Sequence, residues 1–134
     1  MIAYFRQHER LLGELVRLGV EHPALYRVEP AMKKFPSYHG SPTEADLAAE
    51  RRAYEILSLI KADLVVYWRV GSTPEGALIS VDVPVYRFGL SLGGYSTSLT
   101  YIPDFATEPP QSDEKRKFRR IEDTGWFIEE SDTR

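Results

Sequence analysis

The chain has 134 residues, 43% of them hydrophobic and 28% charged, with a formal net charge of −3. That composition excludes collagen-like, low-complexity and wholly disordered chains and fits a single domain. Cysteine is absent, which removes disulfides, thiolate metal sites and a cysteine nucleophile and agrees with a reducing, cytoplasmic setting.

The 17 basic and 20 acidic side chains are too balanced to favour a general nucleic-acid binder. No apolar run approaches the roughly 18 residues of a membrane helix, so no membrane partner is expected. Arg6, His8, Glu9 and Arg10 break the opening segment before a signal peptide could form.

Phe5, Leu11, Leu12, Leu15 and Leu18 recur at three- and four-residue spacings between charged residues, which predicts an amphipathic helix over residues 2–18. Gly19 stands where a left-handed residue would end it. Ala24 to Val28, bounded by His22-Pro23 and Glu29-Pro30, reads as a short edge strand. In Ser41-Pro42-Thr43-Glu44 an N-cap hydroxyl is followed by a proline at the first helical position and a glutamate three residues past the cap. A second helix over residues 42–61 follows, with Ala45, Ala48, Ala49, Ala53, Ile56, Leu57 and Ile60 on one face.

From Leu64 the period drops to 2, predicting a β meander over residues 64–102. Its first turn is Gly71 to Gly76, and the return strand alternates through Ile79, Val81, Val83 and Val85, with Ser80 and Asp82 on the other side. Pro84 removes one ladder donor, so the strand bends or lies at an edge there. Gly93-Gly94 supplies the second turn, before Tyr95 to Ile102. Residues 103–112 are proline-rich and aperiodic, an exposed loop. Residues 113–129 suit a hairpin around Asp123-Thr124-Gly125, with a helix over 113–122 as the competing reading, and the chain from Glu130 is expected to fray. The sum is an α+β fold: two amphipathic helices packed on a mainly antiparallel sheet of about four to six strands.

Few residues suggest chemistry. Gly89-Leu90-Ser91-Leu92-Gly93 matches a nucleophile elbow, but the following residues read as strand, and His8, His22 and His39 all precede the serine. The histidines lack the i, i+3 or i+4 spacing of a helical metal site, and the carboxylates form no recurrent ligand pattern. No Walker or dinucleotide loop occurs either, so neither a metal nor a cofactor is expected. A hydrolase or transferase using His39 with a carboxylate is one alternative. A nucleic-acid module on Lys115, Arg116, Lys117, Arg119 and Arg120 is another, although the acidic flanks leave the window from Asp113 to Asp123 only +1.

Eight tyrosines are generous for this length, and on a strand's outer face they supply contact area at low entropic cost. The cysteine-free single domain, the two helices, the meander, the aromatic and acidic loop and the closing Gly125-Trp126-Phe127-Ile128 together resemble the small α+β immunity proteins of bacterial toxin systems. The resemblance implies a non-catalytic cytoplasmic antitoxin that binds a cognate toxin domain. From the residues themselves, Tyr95, Tyr101 and Phe105 are candidate anchors, with Asp104, Glu108, Asp113 and Glu114 as complementary charge toward a basic partner.

Overall fold

The computed structural model describes residues 1–30, 38–88, 95–103, 116–122 and 124–132. Within them the chain forms α1 (Ile2–Glu21), β1 (Arg27–Val28), α2 (Glu44–Ile60), β2 (Val65–Arg69), β3 (Leu78–Phe88), β4 (Tyr95–Tyr101), β5 (Arg116–Arg120) and β6 (Trp126–Asp132). The six strands make one antiparallel sheet in the order β1-β2-β3-β4-β6-β5. The α+β architecture expected from the sequence is therefore the observed one. None of the described helices is long and apolar enough to cross a membrane.

Both helices lay their apolar stripes on one face of the sheet. Phe5, Leu12 and Leu15 of α1 and Ala49, Ala53, Ile56, Leu57 and Ile60 of α2 are buried with Val65, Tyr67, Val81, Val83, Leu99 and Ile128 in one core. Ala45 and Ala48 do not join the α2 stripe; they are exposed, because Asp46 turns inward at that end of the helix. The cap also sits two residues later than the sequence signal suggests. Thr43, not Ser41, is the N-cap, and Asp46 closes the box: Thr43 N–H donates to Asp46 Oδ2 (2.9 Å) and Asp46 N–H to Thr43 Oγ1 (3.2 Å). Lys61 ends the helix in the left-handed conformation.

Gly19 does not terminate α1, which continues to Glu21. Its missing side chain instead admits the ring of Tyr67: a Cβ at Gly19 would stand inside the van der Waals envelope of Tyr67 Cδ1 and Cε1. The Tyr67 hydroxyl then donates to Leu15 O (2.6 Å), and Arg69 Nη2 donates to Gly19 O (2.6 Å). A cation on the last-turn carbonyls also complements the negative end of the helix dipole. Arg69 Nη1 reaches Gly76 O (3.1 Å), so the same guanidinium ties the β2–β3 turn to α1.

The β2–β3 hairpin carries a bulge. Trp68 pairs with Ser80 but Arg69 with Leu78, so Ile79 is the extra residue. Leu78 takes the core-facing place expected of Ile79, which is 50% exposed, while the alternation holds at Val81 and Val83. A second register shift falls between Pro84 and Tyr86, beyond the last β2–β3 pair at Val66 and Asp82, where β3 no longer needs donors on the β2 side.

Arg116–Arg120 and Trp126–Asp132 pair as the hairpin, so the described part of the segment is strand and not helix. Its turn is closed by Ile121 N–H to Trp126 O (2.9 Å) and by the Thr124 hydroxyl to Ile121 O (2.6 Å). The meander does not simply continue: β6 inserts between β4 and β5, and its end stays paired, with Ser131 and Asp132 opposite Ser96 and Tyr95 where fraying was expected.

Two glycine substitutions in α1 should separate helix propensity from packing. Gly13→Ala meets open space and should raise stability by about 0.5–1 kcal/mol. Gly19→Ala collides with a fully buried ring and should lower it by about 1–3 kcal/mol. Urea unfolding of both variants checks the pair; equal effects would contradict the packing assigned to Gly19.

Candidate functional site

Strand alternation in β2 decides what each side chain meets. Tyr67 and Arg69 are committed to α1 by their hydrogen bonds, so Trp68 between them falls on the opposite face of the sheet, where it is 41% exposed. Register then supplies its partner. Val66 pairs with Asp82 and Trp68 with Ser80, which places Asp82 diagonally across from the indole on the same face. The Trp68 Nε1–H donates to Asp82 Oδ2 at 2.7 Å and fixes the ring.

Tyr26 closes one flank of Trp68. Its ring stands at 86° to the indole, with centroids 6.0 Å apart. Behind it His39 packs at 4.8 Å, held there by its backbone N–H bond to Ala24 O (2.8 Å) and the neighbouring bridge between Leu25 and Tyr38. His39 Nε2 is enclosed without a hydrogen-bond partner.

On the other flank Asp82 pairs with Thr100 of β4, and Thr100 with Phe127 of β6. The Thr100 hydroxyl has one proton for two neighbouring carboxylates; it donates to Glu129 Oε2 at 3.3 Å. Arg116 of β5 donates from Nε (2.9 Å) and Nη2 (2.7 Å) to Glu129 Oε1. One track therefore crosses the sheet from Tyr26 through Trp68, Asp82, Thr100 and Glu129 to Arg116.

Asp82 is the unusual member. Its Oδ1 is buried and accepts no hydrogen bond. Burial is the largest influence on its carboxyl and pushes the pKa above the ordinary carboxylate value; the Trp68 N–H pulls the other way, the charge of Glu129 adds to the rise, and Thr100 and Arg116 oppose it. Elsewhere, His22 Nδ1 lies 3.3 Å from Asp46 Oδ1. The Asp46 carboxyl is held below its usual range, chiefly by the Thr43 backbone N–H, so this pair belongs to the helix cap. Among the described residues no three His, Asp or Glu side chains gather in a way that could hold a metal ion.

The residues singled out by sequence lie as follows. Tyr101 is half-buried, its ring 5.4 Å from Trp126 and against Gly125. Tyr95 begins β4, opposite Phe88 and Asp132. Asp104, Phe105, Glu108, Asp113 and Glu114 lie outside the described residues, as do Lys115 and the Gly89 to Gly93 string.

His39, for its part, makes no ion pair with any described carboxylate. The basic residues of β5 are divided by strand alternation. Arg116 lies over Phe118 (5.3 Å) and Arg120 over Phe127 (5.4 Å), whereas Lys117 and Arg119 line a shallow depression of about 200 Å³ with Ile128 and Glu130. Sequence reasoning missed Tyr26, Trp68, Asp82 and Glu129 as a group; the one available signal was that Asp82 occupies an outward position in an alternating strand.

Because the folded-state pKa of Asp82 is raised, the folded protein holds more protons than the unfolded chain once pH climbs past about 4. Stability should fall through that window and level off above the raised pKa. Asp82→Asn removes this fall, so its stability relative to the parent should improve from acid to neutral pH. Urea midpoints across that range check the sign, and a pH-independent difference would contradict it. No family model matches the chain, and neither a curated protein nor a solved structure does.

Proposed function

We propose that the chain is a non-catalytic protein-binding module, an immunity protein that holds a cognate bacterial toxin domain in the cytoplasm. The observation that supports this most directly is Trp68: a large aromatic side chain, 41% exposed in an internal strand, whose orientation is fixed by a 2.7 Å hydrogen bond to Asp82. Binding energy at protein interfaces concentrates in aromatic and arginine anchors, and a ring already held in one rotamer loses little entropy on association. The helices occupy one face of the sheet, so a partner can reach Trp68, exposed on the other, without unpacking the core.

The immunity assignment adds to this the overall layout: a small cysteine-free α+β domain of balanced charge. The reading commits Trp68 to the interface centre, with the segment carrying Asp104, Phe105 and Glu108 as a further contact.

The test begins with the genes beside this chain's own, where the proposal expects a secreted protein with a toxin-like C-terminal domain, and uses that domain. Co-expression should rescue growth, and calorimetry should show a tight complex. Trp68→Ala should weaken that complex by at least about 2 kcal/mol, the usual threshold for a dominant anchor. Full toxicity in the presence of the chain, with no complex, would overturn the proposal.

A further inference from the structure

The surroundings of Trp68 favour one kind of contact. The indole and the Tyr26 ring meet at 86°, two walls of a corner, and a carboxylate stands at the indole edge. Aromatic faces attract cations through the ring quadrupole, most strongly for tryptophan. Asp82 adds the complementary charge at the indole edge, through the carboxylate whose Oδ2 receives the indole N–H; its Oδ1 is enclosed and is not the contact atom. A cation laid on the exposed ring therefore meets a negative charge held in place beside it.

From this corner we infer a binding slot for a cationic side chain of the partner protein, a lysine ammonium or arginine guanidinium laid over the Trp68 ring between Tyr26 and Asp82. The inference rests on the protein-binding reading and supplies the chemistry of its central contact. Ion pairing with Asp82 and cation–π contact with Trp68 would act on the same group. An uncharged partner residue would gain the apolar contact alone.

The experiment needs no partner. Butylammonium chloride, which reproduces the end of a lysine side chain, is titrated into the isotope-labelled protein at neutral pH, with sodium chloride at matched ionic strength and neutral 1-butanol as controls. The indole N–H resonances of Trp68 and Trp126 are followed. Trp68 is the exposed one and Trp126 is 5% exposed, so the two report the slot and the core separately.

The slot is supported if butylammonium shifts the Trp68 signal saturably, leaves Trp126 unmoved and is not mimicked by either control. Asp82→Asn should then weaken binding about tenfold while keeping the fold, as one lost charge contact of ordinary size would. Trp68→Leu, read on the Tyr26 backbone signal, should weaken it to a similar degree. A Trp68 shift that tracks sodium chloride or 1-butanol equally, or affinity unchanged in Asp82→Asn, would overturn the slot. Failure here with an intact toxin complex would remove the slot and leave the binding module. A working slot without any toxin complex would do the reverse.

Discussion

The approach of Tyr67 to Gly19 is the constraint on which the other features depend. A full-sized aromatic ring comes this close to a helix backbone only where the helix lacks a side chain, and α1 provides that gap in its last turn. Once Tyr67 is seated and its hydroxyl bonded to Leu15 O, the position of β2 under α1 is fixed, and Arg69 two residues on meets the carbonyl of Gly19 itself. Strand geometry then leaves Trp68 no choice of face. An apolar residue is turned outward because its two neighbours are needed inward, and the protein has recruited Asp82 from the adjoining strand to hold it.

The bulge at Ile79 acts only at the hairpin end. It lies between the Trp68–Ser80 and Arg69–Leu78 pairs, so it puts Leu78 in place of Ile79 opposite Arg69 and on the core side, while Val81, Asp82 and Val83 keep the register of the regular pairs before it. It exposes Ile79, a modest loss of burial at a hairpin end.

Much of this architecture was legible as periodicity. The 3.6-residue spacing in α1 and α2 and the switch to period 2 at Leu64 depend on neighbours in sequence, and they located both helices and the β2–β3–β4 succession. The cap of α2 was legible in kind but displaced, since Ser41 and Thr43 both carry hydroxyls and only the inward turn of Asp46 selects Thr43. Gly19 was misjudged because a glycine that ends a helix and one that admits a neighbour look alike until the neighbour, 48 residues away, is placed. The insertion of β6 between β4 and β5 and the meeting of Trp68 with Asp82 are long-range consequences of register, for which a single sequence carries no local signal.

Stability alone does not account for Asp82. Indole nitrogens on exposed strands can be satisfied by water, so fixing Trp68 does not require a buried acid, and a threonine or asparagine at position 82 would suit the sheet at lower electrostatic cost. The chain keeps instead a carboxylate with one oxygen undonated, a Glu129 whose charge raises its pKa further, and a hydroxyl between them with only one proton to share. Local departures from good packing chemistry tend to gather where a protein meets something else. Here the departure lies beside a large aromatic that the core has turned away, and both are positioned by strands whose opposite face packs against the helices. A ring held in one orientation, with a carboxylate at its edge on a sheet braced from behind, would need little reorganisation to receive the proposed cation.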